Sequence, residues 1–414
     1  MGNINAPIHT IHSEKINIRK FEEVATFTRG ITYKKNQETS SNEINAWKVL
    51  RANNITLSLN TLNFDDIKLV SSSVKVKDEQ ILHKGDILIC AGSGSKQHIG
   101  KVAYIYEDMN YTFGGFMGVL RCSKELNSKF LFHILTGNLF SKYLDTALNS
   151  TTINNLNAKI MNDFEFPIPP IEMQEDIVQI LDKFDNLSHE LEEELKARKE
   201  QYEYYKNTLL ERSQNPIKQF SLGELFTFKN GLNKGKEFFG TGSPIVNFVD
   251  VYKNRKLYST TLKGLVTVDN KEKELYNAKV GDVFFTRTSE TKEEIGMASV
   301  LLDNIIDCVF SGFVLRARPK TELLLPKFCA YCFSSHAVRK EIIKYSSFTT
   351  RALTSGTKLS KIKVFVPSLE EQERIVSILD KFEELIANIE AELKARQEQY
   401  EYYRDKLLTF NETA

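Results

Sequence analysis

Forty-two residues of this chain occur twice, 198 positions apart: residues 169–210 and 367–408 share 26 identities. Each copy contains Leu-Lys-Ala-Arg, at 195–198 and 393–396, followed by Tyr-Glu-Tyr-Tyr at 202–205 and 400–403. A repeat of this quality constrains architecture before any local reading does. The chain must be two halves, each a variable globular segment followed by a shared element.

That element is predicted to be a long helix. From Ile177 the first copy steps through Leu181, Phe184, Ser188, Leu191, Leu195, Arg198, Tyr202, Tyr205 and Leu209, alternating fours and threes. The second repeats the steps from Ile375 through Leu379, Phe382, Ile386, Ile389, Leu393, Arg396, Tyr400, Tyr403 and Leu407. This is the spacing of a coiled-coil seam, and neither run contains glycine or proline. Leu181, Phe184, Leu195, Arg198 and Tyr202, with Leu379, Phe382, Leu393, Arg396 and Tyr400, are the helix-pairing candidates. Ser368 with Glu371 forms a capping box and Pro169-Pro170 before Glu172 a comparable start. At 1.5 Å per residue each helix is roughly 60 Å long. The arginine at one seam position of each copy has two readings, a register device or a side chain that snorkels to water. Two equivalent seams in one chain favour intramolecular pairing, because linkage makes the association effectively first-order. A parallel homodimer is the competing arrangement.

The net charge of +1 conceals a segregation. Residues 1–165 carry 19 basic and 16 acidic side chains, and residues 213–366 carry 24 and 14, a net +10. The helical segments 166–212 and 367–414 each carry 6 basic and 12 acidic residues. Basic heads suit a polyanion, and acidic helices suit a protein surface.

The heads are related more loosely than the helices. Gly30 aligns with Gly231, Gly85-Asp86 with Gly281-Asp282, Gly115-Phe116 with Gly312-Phe313, and Thr151-Thr152 with Thr349-Thr350. Matches fall on glycines and on apolar runs such as Ile87-Leu88-Ile89 and Val283-Phe284-Phe285, which read as short strands ended by turns. The polar residues between them differ, as expected of one scaffold with two surfaces. After the apolar runs come loops of hydroxyl and basic residues, able to offer N–H groups and a cation to phosphate. The DNA-contact candidates in the first head are Lys34, Lys35, Ser93, Ser95, Lys96, Gln97, Thr151, Thr152 and Asn154. Those in the second are Lys234, Lys236, Arg287, Thr288, Ser289, Lys292, Thr350 and Arg351.

Nothing in the sequence supplies a catalyst. Gly92-Ser93-Gly94-Ser95-Lys96 has the glycines of a phosphate loop at the wrong spacing, and the seven histidines do not cluster. Cys329 and Cys332 read as core cysteines in an apolar helix, since zinc would require two more ligands. Five irregular cysteines suit a reducing cytoplasm. The N-terminus lacks the pattern of a secretion signal, and no stretch approaches the roughly eighteen apolar residues of a membrane span.

The repeats Pro-Pro-Ile-Glu-x-Gln-Glu-x-Ile-Val (169–178) and Pro-Ser-Leu-Glu-Glu-Gln-Glu-Arg-Ile-Val (367–376), with Lys-Ala-Arg-x-Glu-Gln-Tyr-Glu-Tyr-Tyr at 196–205 and 394–403, resemble the conserved regions of a known family. It is the specificity subunit of type I restriction–modification systems, and the resemblance covers the whole chain. It implies an α+β fold of two pseudo-symmetric heads, each followed by a long helix, with the two helices paired antiparallel. The implied domains are target-recognition domains at 1–165 and 213–366 and conserved spacer helices at 166–212 and 367–414. It further implies a non-catalytic subunit without cofactors, each head reading half of a split asymmetric double-stranded DNA site. Its partners would be a pair of methyltransferase subunits and, through them, restriction subunits. Adenine methylation, S-adenosylmethionine binding and ATP-driven cleavage would belong to those partners. Two rivals stand beside this reading, a coiled-coil scaffold whose heads bind protein and a nuclease with an unrecognised centre.

Overall fold

The computed structural model describes residues 16–39, 45–56, 60–94, 98–149, 155–211 and 218–410. Two helices dominate, Ile171–Glu211 and Leu369–Leu408. The chain divides into two compact units, residues 1–193 with 391–414 and residues 194–390. Each unit therefore holds one head, the first half of the helix that follows it and the last half of the other helix.

The helix segments run antiparallel within each unit. In the first, Phe184 stacks on Tyr403 with ring centroids 5.3 Å apart. In the second, Tyr205 stacks on Phe382 at 5.5 Å, and Lys199 reaches Glu390 at 2.7 Å. The two stacks are the same contact with the copies exchanged, as a 198-residue repeat folded on itself requires. Ile177 and Leu181 in one unit, and Ile375 and Leu379 in the other, are fully buried within the core of the adjoining head. The seam thus serves head and partner helix alike.

A buried glutamine starts each helix. The Gln174 side-chain amide donates to the carbonyls of Pro169 (2.8 Å) and Glu125 (3.0 Å), and its oxygen accepts from Asn127 N–H (2.8 Å). Gln372 does the same with Pro367 (2.9 Å), Leu323 (2.8 Å) and Leu325 N–H (2.8 Å). Both amides are wholly buried, where a polar group must be hydrogen-bonded. Ser368 accepts from Glu371 N–H at 3.3 Å, the first half of the expected capping box, while the Glu371 carboxylate turns to Arg374.

The first head carries a four-stranded antiparallel sheet in the order Ala25–Arg29, Met117–Cys122, Ile87–Cys90, Val102–Tyr104. A second sheet follows the order Lys68–Val70, Trp47–Leu50, Tyr111–Phe113, its last pair parallel. The second head repeats the plan. Phe226–Asn230, Val314–Pro319, Val283–Thr286, Ala298–Leu301 and Lys256–Leu257 form the larger sheet, and Gly264–Val266, Phe239–Val246 and Val309–Phe310 the smaller. In each head an antiparallel ribbon ties the first strand to the last, Asn17–Lys20 with Glu165–Ile168 and Lys218–Ser221 with Lys363–Val366. The ribbon delivers the chain to the helix start.

The apolar runs are strands covered on both faces, which explains why they do not alternate with polar residues. Ile87 and Ile89 face the core shared with the helices, whereas Leu88 and Cys90 face a second core beneath the smaller sheet. Val283 and Phe285 against Phe284 divide the same way. The aligned aspartates are structural. Arg121 clasps Asp86 with two bonds of 2.8 Å, and Arg318 clasps Asp282 at 2.7 and 2.6 Å. A side chain on Gly30 would place Cβ 2.2 Å from the Phe113 carbonyl oxygen, and one on Gly231 2.1 Å from that of Ser311. Cys329 and Cys332 are buried on the helix Pro326–Cys332.

Candidate nucleic-acid interface

The strand Ile87–Cys90 exits into Ala91-Gly92, whose N–H groups both donate to the Phe116 carbonyl, at 2.8 and 2.9 Å. The Ala91 carbonyl accepts from Leu156 N–H at 2.7 Å, and Gly92 bridges Asn155. The second head makes the corresponding bonds: Arg287 N–H to the Phe313 carbonyl (3.2 Å) and Thr354 N–H to the Arg287 carbonyl (3.0 Å). There the link widens into a small sheet in which Thr288–Ser289 pairs with Ala352–Leu353, and that strand with Ser347–Phe348. Three segments distant in sequence meet in each head: the strand exit, the Gly-Phe turn and the stretch before the last ribbon.

Among the candidates, Thr288, Ser289 and Arg351 come together in one cleft of the second head, also lined by Phe248, Tyr252 and Phe313. Thr350 is exposed on the turn joining the last two strands of that small sheet, and exposed Lys292 lies over the Phe348 ring at 5.8 Å. Arg351 makes an exposed ion pair with Glu290 at 3.1 Å, a contact weak enough to yield to phosphate. Arg287 is more committed, donating to the Gly312 carbonyl at 2.8 Å. In the first head Ser93 is half-buried on the strand-exit loop, while Ser95, Lys96, Gln97, Thr151, Thr152 and Asn154 lie outside the described residues.

The lysine candidates occupy a different turn. Lys34 and Lys35 are exposed around the 3-10 turn Lys35–Gln37, and Lys236 is exposed on the equivalent Lys236–Phe238. Lys234 is spent within its own head, paired with Glu272 at 2.8 Å and seated over Phe238 at 4.4 Å. The Gly-Phe turn touches this region too, since Gly312 N–H donates to the Leu232 carbonyl at 2.7 Å. Sequence matching found that turn without revealing that it lies between both candidate groups.

The helix-pairing candidates divide by role. Leu181 and Leu379 are buried against the heads, whereas Phe184, Tyr202 and Phe382 make ring contacts across the pair. Leu195 and Leu393 are half-buried. Arg198 and Arg396 fold onto their own helix. Arg198 bonds Gln201 (3.0 Å) and Glu194 (3.4 Å), and Arg396 bonds Gln399 (3.1 Å) and Glu392 (3.2 Å), the arrangement of a snorkelling side chain.

Sequence reasoning missed the polar latch that fixes each head to the helices. In the second unit, Lys256 reaches both Asp380 and Glu383 at 2.7 Å, Arg255 reaches Glu383 at 2.7 Å, and the Tyr331 hydroxyl donates to Asp380 at 2.5 Å with Glu383 3.0 Å away. Tyr202, from the other helix, donates to Glu383 at 3.2 Å. In the first unit His133 stands where Tyr331 does, 3.0 Å from Asp182 and 2.9 Å from the Tyr400 hydroxyl. Burial pushes the Asp380 carboxyl up, but bonds from Lys256, Tyr331 and Lys327 outweigh it and hold it down at about 2. A depressed carboxyl contributes stability above its ordinary range and loses it as pH falls from about 4 towards 2. Asp380→Asn is therefore expected to flatten the pH dependence of melting in that window. At pH 7 it should cost about 1–2 kcal/mol, a few degrees in Tm, allowing for solvent screening of a side chain 30% exposed. Melting indistinguishable from the unsubstituted chain at pH 7 would show that the latch is not stabilising.

Each unit combines a head, an antiparallel pair of helix segments and a loop-borne polar surface, so the duplicated sequence is matched by a duplicated plan. The chain belongs to the family described as the type I restriction modification DNA specificity domain, whose sequence model matches residues 13–201 and again 215–396. It is 28% identical over 379 residues to the type I restriction enzyme EcoKI specificity subunit of Escherichia coli K12, covering 85% of this chain and 79% of that one. Its fold is that of the type I restriction–modification S subunit from M. genitalium, with a TM-score of 0.53, 17% identity and coverage of 100% and 99%. A chain solved in a study of complex assembly and conformational transition of the type I R-M system matches at 0.57, with 16% identity and coverage of 95% and 96%. Among the described residues no helix is long and apolar enough to cross a membrane.

Proposed function

We propose that this chain is the DNA sequence-specificity subunit of a cytoplasmic type I restriction–modification complex. Residues 1–165 and 213–366 act as target-recognition domains, each reading one half of a split asymmetric double-stranded site. The paired helices, residues 166–212 and 367–414, set the spacing and dock two methyltransferase subunits, to which restriction subunits add. Catalysis, and the cofactors it uses, reside in those partners. The observation that carries this reading is the duplicated head-plus-helix plan with segregated charge: a +10 second head and helices of −6 each.

The test is binding of DNA by the chain assembled with its methyltransferase partner, followed by mapping of methylated adenines in a host expressing both. Lys292→Ala and Arg351→Ala should each weaken binding to every sequence and reduce the salt slope by about one, as lost phosphate contacts do. Thr288→Ala or Ser289→Ala should relax specificity at one position of one half-site. Unchanged affinity and unchanged salt slope in both cationic variants would make these loops scaffold.

A further inference from the structure

We infer that Phe116 and Phe313 are apolar contacts to bases, each in the half-site its own head reads. This rests on the DNA-reading role above and concerns residues that the sequence matched between the heads but did not mark as DNA contacts. Phe116 is 73% exposed and Phe313 67% exposed, at equivalent positions of heads whose polar surfaces otherwise differ. A large ring left in water twice, on a duplicated scaffold, is not a core residue in either copy.

The backbone beneath each ring is fixed. The Phe116 carbonyl holds both Ala91 and Gly92 N–H, and the Phe313 carbonyl holds Arg287 N–H. The preceding glycine permits close packing against the lysine-bearing turn. A Cβ on Gly115 would lie 2.9 Å from Thr32 Cγ2, and one on Gly312 2.0 Å from Asn233 Oδ1. The turn is thus rigid and central while its ring projects outward, which lowers the ordering cost of binding.

Phe313 shares its cleft with Thr288, Ser289 and Arg351. Hydroxyls beside a guanidinium offer base-edge and phosphate bonds, and a phenyl ring among them supplies what those groups lack. It can meet a thymine methyl or lie against an opened base step. The basic balance of the second head argues for nucleic acid as the occupant over protein.

The test uses the full chain with its methyltransferase partner, on duplexes carrying both half-sites, one scrambled half-site, or neither. Phe116→Ala and Phe313→Ala should each lower affinity for the intact site about tenfold or more. The salt slope should not change, because no charge is removed. Each loss should disappear on the duplex whose scrambled half belongs to the same head, and melting should not shift, because the rings are exposed. Phe→Leu at either position should recover part of the loss. Affinity equal to the unsubstituted complex, an equal loss on all three duplexes, or loss of methyltransferase co-purification would overturn this inference alone. An unsubstituted complex without sequence preference would overturn the DNA-reading role, and this inference with it.

Discussion

Exchanging residues 1–165 for the corresponding segment of another family member is expected to replace one half of the methylated site and leave the other unchanged. Each head has its own three apolar cores, and among the described residues those of the first head draw no side chain from residues 213–366. What the incoming segment must meet lies on helices that are not exchanged: buried Ile177, Leu181 and Leu407, and the polar pair Asp182 and Tyr400. The two heads of this chain already show that different side chains can bond the helix aspartate, since His133 bonds Asp182 in one and Tyr331 bonds the equivalent Asp380 in the other. The graft should therefore fold if it brings a hydrogen-bonding ring at that place. Discrimination in favour of the original first half-site should fall by at least about a thousandfold, the lower end of specific over non-specific binding. A methylation map in which both halves changed, or neither, would contradict independent reading by the heads.

The long helices were legible because identical residues recur at coiled-coil spacing, a signal that depends on no distant contact. The strands Ile87–Cys90 and Val283–Thr286 were legible as apolar runs ended by turns. The latch was not, although Asp182, Asp380, Tyr202 and Tyr400 all lie inside the repeat. On a solvated acidic helix one carboxylate looks like another, and the partners that distinguish these two lie about fifty residues upstream in the heads. Gln174 and Gln372 belong to the repeated motif, but a motif does not say that the amide is buried and bonded to three backbone groups. The two readings of Arg198 and Arg396 needed the neighbouring Gln and Glu to be seen bonding them. The candidate loops were found as the polar residues following matched strands. That the Gly-Phe turns join them is a tertiary fact, invisible to a match on two residues.

The proposed ruler role of the helices leads to the second large effect. Four residues inserted between Glu193 and Glu194, with four more between Glu390 and Ala391, fall where the compact units divide. The insertion spares the Phe184–Tyr403 stack on one side and the Tyr205–Phe382 stack and Lys199–Glu390 pair on the other. Both helices lengthen by about 6 Å, with a rotation of about 40°. A four-residue insertion in a heptad seam is a stutter, which unwinds the coil locally without breaking it. At about 3.4 Å per base step, the unread gap between half-sites should widen by on the order of two base pairs, with each half-site sequence retained. Insertion into one helix alone puts one copy out of step with the other, so it should reduce assembly and stability more than the paired insertion does. Methylome sequencing of the paired variant provides the measurement. The original gap, retained after both helices have been lengthened, would show that the distance between half-sites is set elsewhere in the complex.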